Sequence, residues 1–246
     1  MDLVIGTLAL RPYVFAFLAL FLVAGFLDVG WRRTLVFGAA VWPLAWLAEF
    51  ASTRVGFPFG LYHYTGITRG RELHIGNVPF MDSLSFTFLA YASFCLARVA
   101  LAGRRPSRWL QALVTGLLMT ALDVVIDPLA VRGDRWFLGR IFYYPDGGAY
   151  FGVPLSNFAG WTLVGATGVG LYLAIAGGAS AGRVWPGVAL YYVVLGFNLA
   201  VTAWIGEWGL LALGGLLHAI ITVTIRLTRQ TREKTLGSER PGVQRA

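Results

Sequence analysis

Four carboxylic acids lie within or at the ends of strongly apolar stretches, namely Glu49, Asp82, Asp123 and Asp127. An ionisable side chain is costly inside a membrane, so each of them is a functional candidate. Asp123 and Asp127 are four residues apart and therefore share one helix face. Pro128 follows directly and is expected to break the helix at Asp127.

Asp123 and Asp127 suggest acid–base chemistry, because two neighbouring carboxyls in a low-dielectric medium cannot both ionise cheaply. One of them is expected to keep its proton, and a protonated acid beside an ionised one forms an acid/base pair. An alternative interpretation is purely structural: the four acids would pair with loop arginines and hold the loops in place. The candidate partners are Arg54, Arg132, Arg135 and Arg140.

Composition indicates that these acids belong to an integral membrane protein. Hydrophobic residues make up 57% of the chain and charged residues 13%, against about a quarter charged in a typical soluble domain. A spanning helix needs about 20 largely apolar residues. The sequence therefore predicts an all-α, polytopic helical bundle of about seven transmembrane helices. The predicted spans are 12–27, 34–51, 80–101, 109–130, 153–176, 184–205 and 208–225.

The distribution of basic residues predicts the orientation of this bundle. Most of the 20 lysines and arginines fall in the loops of one side and in the C-terminal tail. The side richer in basic residues is normally cytoplasmic, so the N-terminus is expected outside a cell membrane and the tail inside. Residues 1–226 form a single predicted transmembrane domain, and residues 227–246 form a polar, basic tail predicted to be disordered against the lipid bilayer.

This topology places the acids in the outer half of the bilayer, beside two long connections, 52–79 and 132–152. Both connections are rich in Gly, Pro and aromatic residues, a composition that argues against disorder and predicts loops folded back onto the bundle. An interfacial aromatic belt explains most of these rings, whereas a minority would line a pocket. The pocket candidates, including two side chains of the fifth predicted span, are Tyr62, Tyr64, Tyr144, Asn157 and Trp161.

Other function classes find little support. The basic residues do not form a nucleic-acid-binding motif, and the one cysteine, Cys95, excludes an internal disulfide or a Cys-based metal site. Three scattered histidines, His63, His74 and His218, are too few for a di-iron enzyme. Dinucleotide-binding and P-loop motifs are missing from the sequence, so we expect neither a metal nor a cofactor.

Three segments resemble the CruF-like carotenoid biosynthesis proteins, a family of membrane carotenoid 1,2-hydratases that includes the bisanhydrobacterioruberin hydratases of halophilic archaea. They are AEFASTRVGFPFGLYHYT at 48–65, GNVPFMDSLSFTFLAYAS at 76–93 and DVVIDPLAVRGDRWFLGRIFYYPDGGAYFGVPLSNFAGW at 123–161. They cover about the middle half of the chain, and the third is the most specific.

The resemblance implies addition of water across the terminal C1–C2 double bond of an acyclic carotenoid ψ-end, which gives a tertiary 1-hydroxy group. Asp123 or Asp127 would donate the proton, and Asp82 or Glu49 would orient the water. Tyr62, Tyr64, Tyr144 and Trp161 would stabilise the cation or line the substrate, with Asn157 positioning water. Candidate substrates are γ-carotene, lycopene and a C50 precursor, and other carotenoid-pathway enzymes are candidate partners.

Two alternatives remain open at the level of sequence. A lycopene cyclase also protonates a ψ-end, and physical reasoning from the residues does not separate it from a hydratase. A prenyltransferase-type elongase would need a second metal-binding aspartate motif that the chain lacks. The alternative of another class is a non-enzymatic carotenoid-binding protein or a proton-coupled transporter, because intramembrane carboxylates also serve proton relays.

Overall fold

The protein is an all-α helical bundle in a computed structural model that describes residues 2–177 and 182–238. Its helices are α1 (Leu3–Leu10), α2 (Pro12–Asp28), α3 (Trp31–Val55), α4 (Phe80–Ala100), α5 (Arg108–Ala130), α6 (Leu155–Ala176), α7 (Trp185–Trp204) and α8 (Trp208–Ser238). Four two-residue strands lie in the long connections: β1 (His63–Tyr64), β2 (His74–Ile75), β3 (Val78–Pro79) and β4 (Phe142–Tyr143).

The helices α3 to α8 account for six of the seven predicted spans. Among the described residues, these six are each long and apolar enough to cross a membrane. A seventh span is present if α1 and α2 are counted together. The predicted polytopic membrane fold is therefore confirmed, with a first span that differs from the simple helix expected at 12–27.

The first span is broken at Arg11, where α1 and α2 meet at an angle of 88°. Pro12 occupies the first turn of α2, where its missing N–H costs no helical hydrogen bond. The additional helix α1 begins at Asp2, whose side chain accepts a hydrogen bond from the Val4 amide as an N-cap. The bend turns Arg11 into the protein instead of leaving it in a surface loop, since only 2% of this residue is exposed.

Two further boundaries differ from the sequence predictions. Pro128 does not break α5 at Asp127, because the helix continues to Ala130 and the Val131 amide still donates to the Asp127 carbonyl. α8 extends past the apolar span to Ser238, so residues 227–238 of the predicted tail are helical in the structure. Arg, Gln, Glu and Lys are good helix formers and can prolong a helix into water. Residues 239–246 lie outside the described residues.

Helix α4 is the central helix, with 78% of its apolar span buried against the rest of the protein. It packs against α3, α5 and α7, whereas α5 and α6 form the closest helix pair. Small residues allow this approach, as Gly116 of α5 lies directly against the Thr162 carbonyl and Ala166 of α6. Close packing of small residues is a general source of helix association in membranes.

The two long connections pair with each other. β1 and β4 are antiparallel, with His63 opposite Tyr143 and Tyr64 opposite Phe142. The Thr65 amide also donates to the Ile141 carbonyl, and β2 pairs with β3 to form a hairpin within the first connection. Because α3 and α5 end where α4 and α6 begin, both connections cover the same end of the bundle.

The α5–α6 contact gives a test of this packing. A Cβ atom at Gly116 would lie 3.1 Å from the Ala166 Cβ and even closer to the Thr162 carbonyl. We expect Gly116→Ala to lower the stability of the purified protein in detergent by about 1–3 kcal/mol, as overpacking does. Gly196→Ala is the matched control, because a Cβ there meets nothing within 4 Å. Equal melting temperatures for the two variants would contradict this packing.

Candidate active site

One cavity lies beneath the paired connections, between the ends of the surrounding helices. Glu49 is near the end of α3, Asp82 opens α4, Asp127 is near the end of α5 and Asn157 opens α6. Consecutive helices run in opposite directions, so these positions meet at one end of the bundle. The structure thus gathers around the cavity Glu49, Asp82, Asp127, Asn157, Tyr62, Tyr64, Tyr144 and Trp161, all of them predicted site residues.

Asp123 is the exception, because it is fully buried behind Asp127 and does not line the cavity. Nδ2 of Asn157 donates to Oδ2 of Asp123 at 2.7 Å and to Oδ2 of Asp127 at 2.8 Å. The Trp161 indole N–H donates to the same Asp127 oxygen at 3.2 Å. The two carboxyls are therefore neighbours bridged by one amide group, and Oδ1 of Asp123 has no hydrogen-bond partner among the described residues.

Glu49 is 5% exposed, and its side chain reaches the cavity beside Tyr64. Oε2 of Glu49 has no hydrogen-bond partner among the described residues. A buried polar atom normally needs a hydrogen-bond partner, and Oε2 of Glu49 can accept one from a molecule in the cavity.

Asp82 has a different environment, because Oδ1 of Asp82 lies 2.9 Å from Nη1 of Arg11. Arg11 also binds Glu72 through two hydrogen bonds, of 2.9 Å from Nε and 3.1 Å from Nη2. Among the described residues, the loop arginines of the structural alternative form no ion pair with these acids. Arg132 and Arg135 both bind Glu207, and Arg54 donates to the side chain of Asn77.

Aromatic rings form much of the remaining wall. Tyr62 makes edge-to-face contacts with Tyr64, Phe142 and Tyr144 at centroid distances of 5.4–5.7 Å. On another side, Trp161 stacks on Phe86 at 4.3 Å. Between α2 and α7, Tyr13 stacks on Phe197 at 5.3 Å. The cavity therefore suits an apolar ligand and presents several ring faces to it.

The loop tyrosines retain their protons. Burial, followed by the nearby Glu49 carboxylate, raises the pKa of the Tyr62 and Tyr64 phenols well above the usual value. Burial also raises the pKa of Tyr144. These groups are therefore neutral rings and hydrogen-bond donors across the physiological range, which excludes them as bases.

Sequence reasoning missed several buried charged residues. Neither Arg11 nor Glu72 was predicted as a site residue, because nothing in their immediate sequence marks them as buried partners. Asp28 lies just past the predicted first span, yet it is 3% exposed and bound by Arg98 and by the Tyr91 hydroxyl. Arg98 at the other end of α4 offered a weak signal, since a cation near an apolar span needs a counter-charge.

Asn157 provides a test of this geometry. Replacement by Leu would remove the amide that donates to both aspartates, leaving two buried carboxyls with fewer partners. We expect Asn157→Leu to cost about 1–3 kcal/mol of stability, measured by thermal unfolding in detergent. Asn198→Leu is the control, because the one donor contact of the Asn198 amide among the described residues is to the Val194 carbonyl within its own helix. A larger loss for the control would contradict the bridging role.

Comparison with known proteins gives two matches. A family model described as "Carotenoid biosynthesis protein" matches residues 4–221. The bisanhydrobacterioruberin hydratase of Haloarcula japonica is 32% identical over 169 residues, which cover 67% of this chain and 55% of that protein. The chain thus spans only about half the length of this curated relative. No solved structure matches the chain significantly.

Proposed function

The chain belongs to the carotenoid biosynthesis protein family, and we propose that it is a carotenoid hydratase. It would add water across the terminal C1–C2 double bond of an acyclic ψ-end and form a tertiary 1-hydroxy group. The observation that carries this proposal is one aromatic-walled cavity that contains both an ion-paired acid, Asp82, and acids without a cationic partner, Glu49 and Asp127. Hydration of an alkene needs both a proton donor and a group that accepts a proton from water.

The reaction would begin with proton transfer from Asp127 to C2 of the alkene. Asp127 lines the cavity, whereas Asp123 lies behind it and shares the Asn157 amide. Asp123 would then support Asp127 without touching the substrate. The Trp161 indole and the Asn157 amide both donate to Oδ2 of Asp127, and these hydrogen bonds stabilise the carboxylate left after proton transfer.

Protonation of C2 leaves a tertiary cation at C1, and the cavity wall would stabilise it. Ring faces attract cations, with the strongest attraction at Trp and Tyr. Trp161, Tyr62, Tyr64 and Tyr144 all line the cavity. The carboxylates of the same wall add electrostatic stabilisation to the charge that develops in the transition state.

Water would then attack C1 and lose one proton to Asp82 or Glu49. The new C–O bond forms as one water O–H bond breaks, so the product is a neutral alcohol and no electrons are transferred. The proton accepted by this second acid balances the proton lost by Asp127. The cycle closes when the protons are redistributed through bulk water, and the reaction requires neither a metal nor a redox cofactor.

The substrate class follows from the medium as well as the site. A carotenoid partitions into the bilayer hydrocarbon, so it would enter the cavity from the membrane with its ψ-end next to the acids. γ-Carotene, lycopene and a C50 precursor all carry the required end group. We further propose that the site faces the outer side of the cell membrane with the C-terminus in the cytoplasm, as the distribution of basic residues suggests.

Carotenoid profiling tests the reaction itself. We expect a host that makes lycopene and γ-carotene to accumulate a product heavier by one water when it expresses this chain. Growth in ¹⁸O-labelled water should place the label in that product, as detected by liquid chromatography and mass spectrometry. An isomeric product of unchanged mass would indicate a cyclase instead. Unchanged pigments, both here and in a host that makes C50 precursors, would contradict the proposal.

Substitution of the aspartates tests the assigned roles. Asp127→Asn should lower kcat by about 10²-fold or more, because a general acid contributes about 10²–10⁴-fold. Asp123→Asn should have a smaller effect, since Asp123 does not line the cavity. Asp146→Asn is the control, as Asp146 is exposed in the second connection. Full activity in both Asp127→Asn and Asp123→Asn would exclude this pair as the proton donor.

A further inference from the structure

Arg11 is the one arginine on the wall of the described cavity, a position that was not predicted from the sequence. We propose that Arg11 is a positioning residue that keeps Asp82 ionised and oriented, so that Asp82, not Glu49, is the base that accepts the water proton. This inference rests on the proposed hydration reaction and deepens it, because it makes Asp82 the ionised acid of the cavity and Glu49 and Asp127 the protonated ones.

The contacts of Arg11 are directional. Its Nε and Nη2 atoms bind both oxygens of Glu72, and its Nη1 atom is left for Oδ1 of Asp82 at 2.9 Å. A planar guanidinium can serve two carboxylates in this way, whereas an ammonium group cannot reproduce the fork. Only one oxygen of Asp82 is therefore held, and Oδ2 remains for a water molecule in the cavity.

Burial makes these charges interdependent. The Arg11 and Glu72 side chains are 3% and 0% exposed, whereas that of Asp82 is 22% exposed. An uncompensated buried charge is strongly unfavourable, so Arg11 and Glu72 must remain paired. Arg11, Glu72 and Asp82 together have a net charge of about −1. This negative charge lies on Asp82, because its side chain is the most exposed of the three. A carboxylate at this place both accepts a proton and stabilises a cation.

The other acids lack such a partner. Among the described residues, neither Glu49 nor Asp127 has an Arg, Lys or His within ion-pair distance. An acid in an apolar cavity without a cation tends to keep its proton. The position of Arg11 would thus determine which acid of the cavity is ionised and which acids keep their protons.

The position of Arg11 is set by the backbone around it. The break between α1 and α2 directs the side chain inward, and the Thr7 hydroxyl accepts a hydrogen bond from the Leu73 amide next to Glu72. The first span is therefore attached to the connection that covers the cavity. The N-terminal segment would contribute to the chemistry through Asp82 although it carries none of the acids.

Three variants test this role by their pH–rate profiles, with purified protein in lipid vesicles and a ψ-end carotenoid. The charged or titratable groups that face Asp82 are Arg11, Tyr13, Glu49, Tyr64, Glu72, His74 and Asp127. The variants change only two of them: Arg11→Gln, Arg11→Lys and Glu72→Gln. Arg54→Gln is the control, because Arg54 is exposed and contacts none of the acids on the cavity wall.

The variants should differ in the direction in which they shift the acidic limb of the pH–rate profile. If the rate requires ionised Asp82, activity rises with pH along the acidic limb of the profile. Arg11→Gln removes the stabilising cation, so this limb should move to higher pH by about one unit or more, and kcat should fall at neutral pH. Glu72→Gln removes a competing negative charge, so the same limb should move to lower pH. Arg11→Lys keeps the positive charge, so the acidic limb should lie at the same pH as in the unmodified protein. Its kcat should recover only in part, because an ammonium group does not reproduce the fork of the guanidinium.

A structural role alone would give another pattern. It predicts that Arg11→Gln and Glu72→Gln both lower the melting temperature with the acidic limb unchanged, and that result would overturn the inference. If Arg11→Gln does not fold, the other two variants still test the inference: Glu72→Gln should move the acidic limb to lower pH, and Arg11→Lys should leave it in place. A KM within about threefold of the unmodified protein is expected throughout, because Arg11 acts through Asp82 and not through substrate affinity.

The outcomes also separate this inference from the proposed function. If the unmodified protein forms no product heavier by one water, the hydratase assignment fails before the variants are compared. If the hydrated product forms and Asp127→Asn abolishes it, unchanged limbs in the Arg11 and Glu72 variants would reject the role of Arg11 alone. Glu49→Gln should then be the variant that removes the acidic limb.

Discussion

The cost of placing charge in an apolar medium governs the site. Each carboxyl at the cavity end of the bundle must either keep its proton or bind a counter-charge, and the protein uses both solutions within one cavity. Asp82 binds Arg11, whereas Asp123 and Asp127 have no cation beside them among the described residues and share the Asn157 amide. The antiparallel helices make the contrast possible, because they bring helix ends from distant parts of the chain to one layer.

The helical framework was largely predictable because the hydrocarbon thickness constrains helix length so strongly. Apolar runs long enough to span a bilayer located α3 to α8, and intramembrane acids marked the cavity end. Those signals are local, since each depends on one run or one residue type. The predicted clustering of Glu49, Asp82, Asp127 and Asn157 followed from the alternation of helix direction.

The features that the sequence did not predict depend on contacts between residues far apart in the chain. Arg11 precedes an apolar run, where an arginine usually extends to the interface, and only the 88° bend of the first span directs it inward. Glu72 is buried because Arg11 meets it across 61 positions of sequence. The pairing of β1 with β4 likewise joins strands too short to leave a periodic pattern. Pro128 shows the converse, since a strong local signal for a helix break was overridden by packing.

The β1–β4 pairing has a consequence for how such a site can diversify. The roof of the cavity is built from two connections that are far apart in the chain, and each supplies tyrosines to the same aromatic cluster. The two connections pack against each other through this pairing and through shared ring contacts. A chimera that takes one connection from a relative would mismatch the other, whereas joint exchange of both would transfer the roof intact. Substrate preference in such proteins would therefore evolve by paired changes in the two segments.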